Sequence, residues 1–194
     1  MKNLVAFIGV IGSGKDYRAA EYVKQGYVQV NFKDELLDMC SDLLGYDIRL
    51  EYDWFKNAIV GFRKPDNPLK EAMAISEMKE ILSRNPQALT GRRLLTRLGT
   101  EVMRKRDENY WINAFISRVN HLKMFDIVIS DCRFKNEMEA LLNWPERESK
   151  FIFCNYHSPI YNANLDHLSE KFAQDLLEAG YQDGDIITGT GCWL

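Results

Sequence analysis

LVAFIGVIGSGKDYRAAEYV, residues 4–23, passes from an apolar segment through three glycines into an amphipathic one. Leu4 to Ile8 reads as a buried strand, and Asp16 to Gln25 as a helix that stops at Gly26. Between them lies Gly9-x-x-x-x-Gly14-Lys15, the spacing of a phosphate-binding loop. Glycines let backbone N–H groups approach phosphate oxygens, and the following helix adds a favourable dipole. The expected triphosphate contacts are Gly9, Gly12, Ser13, Gly14, Lys15, Asp16 and Tyr17, with Lys15 reaching the β- and γ-phosphates as a point charge. The bare pattern arises by chance in roughly one chain in twenty of this length. Its position between strand and helix therefore carries more weight than the pattern itself.

The residue after the lysine is ordinarily Ser or Thr, whose hydroxyl helps hold Mg²⁺. Here it is Asp16. An aspartate can serve Mg²⁺ through water, or it can complement the helix dipole and point outward. Charge alone leaves both readings open.

Working outward, "YVQVNF" (27–32) alternates like a strand and "KDELLDMCSDLL" (33–44) has helical spacing. Residues 46–68 are broken by Gly61, Pro65 and Pro68 and read as a loop-rich excursion. Helices are expected over 68–84, 90–106 and 109–124, a strand over 125–130 ending on Asp131, and a helix over 134–144. A strand over 150–155, a helix over 165–180 and a short strand over 185–188 complete the pattern. Such alternation predicts an α/β fold, with a mostly parallel central sheet and helices on both faces. No linker divides the chain, so one domain is expected.

With 46% hydrophobic and 27% charged residues in 194, the composition is that of a globular protein with a substantial core. A net charge of -3 and a pI near 5.7 argue against a nucleic-acid polymer or a membrane surface as partner. Leu4 to Val10 is too short to span a bilayer and lacks signal-peptide flanks. Cys40, Cys132, Cys154 and Cys192 include no Cys-x-x-Cys pair, which favours reduced thiols in the cytoplasm. His121, His157 and His167 show no metal-ligand spacing.

"GSGKDYRAA" (12–20) resembles the loop of the phage-type deoxynucleoside monophosphate kinases and of the animal-type phosphomevalonate kinases, where aspartate after the lysine is usual. "VNFKDELLD" (30–38) is similar to the family's acceptor segment, and "GRRLLTRLGTEVMRKRDENYWINAF" (91–115) to its Arg- and Trp-bearing block. "VISDCRFKNEMEAL" (128–141) is similar to its strand-to-helix motif, and "DHLSE" (166–170) to a late His-x-Ser-Glu. The likeness runs in order from residue 5 to about residue 170.

The resemblance implies a P-loop kinase fold over residues 1–194 with a helical acceptor-binding insertion at about 33–124. It implies transfer of the γ-phosphoryl group of ATP, with Mg²⁺, to a deoxynucleoside 5′-monophosphate. Lys15, Asp16, Asp131 and Arg133 would be catalytic, with Asp16 and Asp131 serving the metal. Lys33, Asp34, Arg92, Thr96, Arg104 and Trp111 would bind the acceptor or support its site, although Trp111 within an apolar helix reads first as core packing. Arg92, Arg93, Arg97 and Arg104 have spacings that put several on one helical side, and Arg93 and Arg97 also fit solvated charges. A homodimer in the cytoplasm, of a host cell if phage-encoded, is the accompanying expectation.

Some positions depart from the family pattern. Tyr17 replaces a threonine, Thr96 replaces a glutamine, "NYHSPIYN" (155–162) carries no arginine, and the tail "GDIITGTGCWL" lacks Asn-Asp-Gly. Two other functions stay in view: a phosphomevalonate kinase-like activity, and a weakly catalytic nucleotide-binding regulator.

Overall fold

β1, Lys2–Ile8, is the middle strand of a five-stranded sheet in the computed structural model, which describes residues 2–57, 90–145, 147–156 and 167–187. Every side chain from Leu4 to Ile8 is apolar and buried, as a strand covered on both faces requires. β3 (Ile127–Cys132) and β4 (Arg147–Phe153) flank it in parallel, and β2 (Val28–Gln29) lies parallel outside β3. β5 (Ile186–Ile187) is antiparallel to β4, giving the order β2-β3-β1-β4-β5.

Period-two alternation divides the core between two faces. On one, Val5, Phe7 and Val128 meet Ala19 and Tyr22 of α1 (Lys15–Lys24), with the Phe7 and Tyr22 rings edge-on at 5.7 Å. On the other, Leu4, Ala6, Ile8, Ile129 and Phe151 share a core with α5 (Tyr110–Val119), α6 (Lys135–Leu142) and α7 (Leu168–Glu178). The expected α/β class, mostly parallel and covered on both faces, is the one observed.

The β1–β3 register runs Leu4↔Ile127, Val5↔Val128, Ala6↔Ile129, then slips to Ile8↔Cys132. Ser130 and Asp131 therefore stand together opposite Phe7. A bulge of this kind re-aims side chains and favours the neighbourhood of active sites.

The chain forms two compact units, residues 1–32 with 112–194, and residues 33–111. The first holds the sheet. In the second, α2 (Asp34–Leu44) buries Leu37, Cys40 and Leu44 at helical spacing and stops at Gly45, whose φ is 75°. α3 (Tyr52–Asn57) and α4 (Gly91–Thr96) add Phe55 and Leu94 to its core. Gly91 is obligatory, because a Cβ there would lie 2.2 Å from the Phe55 carbonyl oxygen. Beyond α4 the helix widens into a π-helix over Arg97–Arg104.

Several expectations need correction. The strand read over 27–32 pairs only at Val28–Gln29, since side chains replace the ladder beyond it: Asn31 Oδ1 accepts from Ser130 N, and Asp131 Oδ1 accepts from Phe32 N. α3 lies inside the stretch expected to be a loop. The strand read from 150 begins at Arg147, whose charge is buried by donating to the Phe125 and Leu122 carbonyls at 2.8 Å. The third strand covers 127–132 rather than 125–130. The helix expected over 68–84 lies outside the described residues.

Candidate functional site

At the end of β1 the chain turns through Gly9, where a Cβ would lie 2.1 Å from the Cys154 carbonyl oxygen and 2.6 Å from Ser13 Oγ. Only glycine fits. Gly12 and Gly14 hold φ of 80° and 83°, in the left-handed region that side chains disfavour. Gly14 caps α1, and its carbonyl accepts from Arg18 N. The three glycines thus shape one loop whose N–H groups precede a helix start.

Lys15 is buried, and its Nζ arches back over this loop, donating to the Gly9 and Val10 carbonyls at 2.7 and 2.6 Å. Ser13 Oγ is a third partner at 3.3 Å. Burial first, and then the positive charge of Arg133, lower the lysine to about 8, with Glu170 and Asp16 opposing in part. A cation this poorly solvated gains much from an arriving anion.

Asp16 is exposed, and its Oδ1 accepts from Ser130 Oγ at 2.6 Å. Ser130 also meets Asn31 Oδ1 at 3.1 Å and Gln29 Nε2 at 3.2 Å. The loop carboxylate is thus tied to the bulge of β3. Asp131 is buried in that bulge, with Oδ1 accepting from Phe32 N at 2.9 Å.

Arg133 follows the strand, and its neighbourhood is anchored twice. Glu137, at the start of α6, accepts from Arg133 N at 2.8 Å and from Phe134 N at 3.1 Å. Glu170, at the start of α7, accepts from Arg133 Nη1 at 2.7 Å and from the loop's Ile11 N at 2.6 Å. Glu170 is itself buried, and Ser169 Oγ donates to it at 3.1 Å. Nearby, Arg18 of α1 pairs with Asp183, whose other oxygen accepts from Asn155 N at 2.8 Å. Tyr17 is exposed on the first turn of α1.

The structure therefore gathers Lys15, Asp16, Asp131 and Arg133 around the C-terminal ends of β1 and β3, where open parallel sheets bind ligands. The remaining candidates belong to the second unit. Lys33 caps α2, and Asp34 opens it, its carbonyl accepting from Arg49 Nη2 at 2.8 Å. Arg92 is exposed on α4, Thr96 ends that helix, and Arg104 Nη1 donates to the Glu108 carbonyl at 3.2 Å. Trp111 is buried and donates its indole N–H to the Gly99 carbonyl at 2.8 Å. The π-helix corrects one expectation. Its i→i+5 ladder has more residues per turn, so a face read at 3.6 spacing drifts between Arg97 and Arg104.

Ser130, Glu137 and Glu170 were not among the expected site residues. Each sits inside a stretch that carries the family likeness, so position within "VISDCRFKNE" and "DHLSE" was the available signal. Among the described residues, no three or more His, Cys, Asp or Glu gather into a cage for a metal. Asp16 and Asp131 nevertheless fit Mg²⁺, which retains water and takes phosphates as its remaining ligands. Cys40, Cys132 and Cys154 are buried thiols, and burial pushes Cys40 up to about 12 and Cys154 up to about 11. Among the described residues no helix is long and apolar enough to cross a membrane.

Compared with known proteins, residues 34–187 match the family model of deoxynucleotide monophosphate kinases. No curated protein matches the chain. The matched range begins after the loop that joins β1 to α1.

Proposed function

The chain belongs to the deoxynucleotide monophosphate kinase family, and from that premise we propose how it holds donor and acceptor. It is a kinase, a phosphotransferase acting on deoxynucleoside monophosphates; the phosphomevalonate-like and regulatory alternatives are not favoured. In our reading the donor is ATP, held by the loop Gly9 to Tyr17, with the acceptor on the 33–111 unit. The carrying observation is the loop itself: a buried Lys15 folded over it, and Arg133 tied to it through Glu170.

Phosphoryl transfer asks mainly for positioning and for cations that meet charge on the moving group. Lys15 would exchange its carbonyl partners for the β- and γ-phosphates. Arg133 would present its fork to the transferring group. Mg²⁺ held by Asp16 and Asp131 through water would neutralise phosphate charge. Arg92 and Arg104 would hold the acceptor phosphate, Lys33, Asp34 and Thr96 the rest of the nucleotide, and Trp111 the helix beneath it. We read the chain as one kinase domain interrupted by this acceptor-binding insertion. The family resemblance also supports a cytoplasmic setting, in a host cell for a phage gene, and a homodimer, which sedimentation would test.

An ADP-release assay across deoxynucleoside monophosphates tests the proposal. Lys15→Ala should lower kcat/KM by roughly 10²-fold or more, as removal of an electrostatic clamp does. Unchanged turnover in the folded variant overturns the loop's assignment.

A further inference from the structure

Glu170 is a buried carboxylate that the phosphoryl-transfer scheme leaves unused. One of its oxygens takes the guanidinium of Arg133 at 2.7 Å and the other the N–H of Ile11, inside the phosphate loop, at 2.6 Å. Ser169 Oγ supplies a further donor at 3.1 Å, and the Ser169 backbone N–H is in turn held by His167 Nδ1 at 3.2 Å. A single side chain thus joins three elements: the loop after β1, the arginine after β3 and the start of α7.

We propose that Glu170 is a positioning residue for phosphoryl transfer, a clamp that fixes the Arg133 fork relative to the donor loop before substrate arrives. The proposal rests on the reading of the loop as donor site and of Arg133 as the group that meets the transferring phosphoryl. A lone arginine on a connection after a strand samples many rotamers, and ordering it during the reaction would raise the barrier. Here one arm of the fork is held beforehand, by a carboxylate that is itself immobilised by donors from the loop and from Ser169. The arrangement has an opposing consequence. Glu170 places a negative charge beside a site for polyanions, so it aids orientation while opposing phosphate affinity. Lys15 lies within the same field, which Glu170 makes less positive and Arg133 more so.

That opposition separates positioning from simple support of the fold. Glu170→Gln keeps the shape and removes the charge. It should lower kcat by roughly 10²-fold, the scale of a misplaced reacting group, while ATP binds as well as before or more tightly. A merely structural glutamate would weaken rate and affinity together. In an Arg133→Gln background the same substitution should cost kcat little more, because both changes remove one device. Should Glu170→Gln not fold, Glu170→Asp enters the same cycle: it keeps the charge but is one methylene short of reaching both partners. The guanidinium proton resonance of Arg133, identified by its loss in Arg133→Gln, gives a readout without turnover. It should be sharp in the full-length protein and averaged in the Glu170 variant. If the wild type phosphorylates no deoxynucleoside monophosphate, the donor-site reading fails while this resonance still decides the clamp. Multiplying rate losses in the double variant, or an Arg133 resonance indifferent to Glu170, overturns the proposal.

Discussion

Ser130 donates its hydroxyl hydrogen to Asp16 Oδ1 across 2.6 Å, joining the start of α1 to the bulge at the end of β3. In the commoner loop the hydroxyl follows the lysine and a strand-end carboxylate faces it. Here the residue after the lysine is the carboxylate Asp16, and it accepts from the hydroxyl of Ser130, which stands on β3 beside the strand-end carboxylate Asp131. The bond ties the loop to the sheet.

If Asp16 serves Mg²⁺ in an orientation set by Ser130, then Ser130→Ala and Asp16→Asn should both raise the Mg²⁺ concentration needed for half-maximal turnover. The double variant should need little more than Asp16→Asn alone, since the hydroxyl acts through the carboxylate. Superimposable Mg²⁺ titrations for wild type and Asp16→Asn would leave Asp16 a complement to the helix dipole.

Lys15 gives a pH dependence whose sign is fixed. Burial holds it near 8 instead of its ordinary 10.5, so above pH 8 the free protein increasingly carries a neutral amine. Phosphates favour the ammonium and raise its pKa in the complex. Binding above pH 8 therefore takes up a proton, and the Kd for ATP should weaken about tenfold per pH unit until the bound-state value is reached. Calorimetry in buffers of different ionisation enthalpy would register that proton, and Lys15→Met should abolish it. For folding the sign is opposite to that of a stabilising lysine. The protonated buried side chain opposes the fold below pH 8, and that penalty fades between about 8 and 10.5 as the unfolded chain comes to hold more protons than the folded one.

The parts of the fold legible in sequence are those where one periodicity governs a whole element. Leu4–Ile8 could only be a buried strand, and the glycines after it only a turn. What was hidden depended on partners distant in sequence. Arg147 reads as a surface charge until carbonyls from Leu122 and Phe125 are found to take it, so the start of β4 was missed. Over Arg97–Arg104 the buried residues Leu98, Gly99, Val102 and Met103 follow ordinary helical spacing, so a helix was legible there but its widening into a π-helix was not. Among the candidate site residues, Lys15 stood out through the spacing of its loop and Arg133 through the family resemblance of its stretch. Glu170 did not, because a glutamate near a helix start reads as a dipole complement until the structure brings Ile11 and Arg133 to it.

Gly9 tests how tightly the loop is built. An alanine methyl would meet the Cys154 carbonyl oxygen at 2.1 Å, and that oxygen belongs to backbone held by the Cys154 N–H to the Ile8 carbonyl at 2.7 Å. Neither side can give way cheaply. Gly9→Ala should destabilise the protein by about 1–3 kcal/mol, the range for overpacking a close-packed site. Thermal unfolding would show it, and a variant with wild-type Tm would mean that the loop relaxes at little cost.

Arg133 decides whether the site is built for chemistry or for binding alone. Its backbone N–H is fixed by Glu137 and one arm of its fork by Glu170, so the side chain is presented in advance of substrate. Negative charge on the transferring group's oxygens must be met as the bond to the donor breaks, and a planar fork can touch two oxygens at once. Arg133→Lys retains a positive charge that Glu170 can still accept, but it replaces the fork by a single point. ATP affinity should therefore stay within a few-fold, while kcat falls by about 10²-fold or more, as when a contact is made only in the transition state. Asp131→Asn should lower turnover in a way that added Mg²⁺ partly restores. Equal losses of ATP affinity and rate in Arg133→Lys would reduce the arginine to a residue that binds the donor and does nothing further to the barrier.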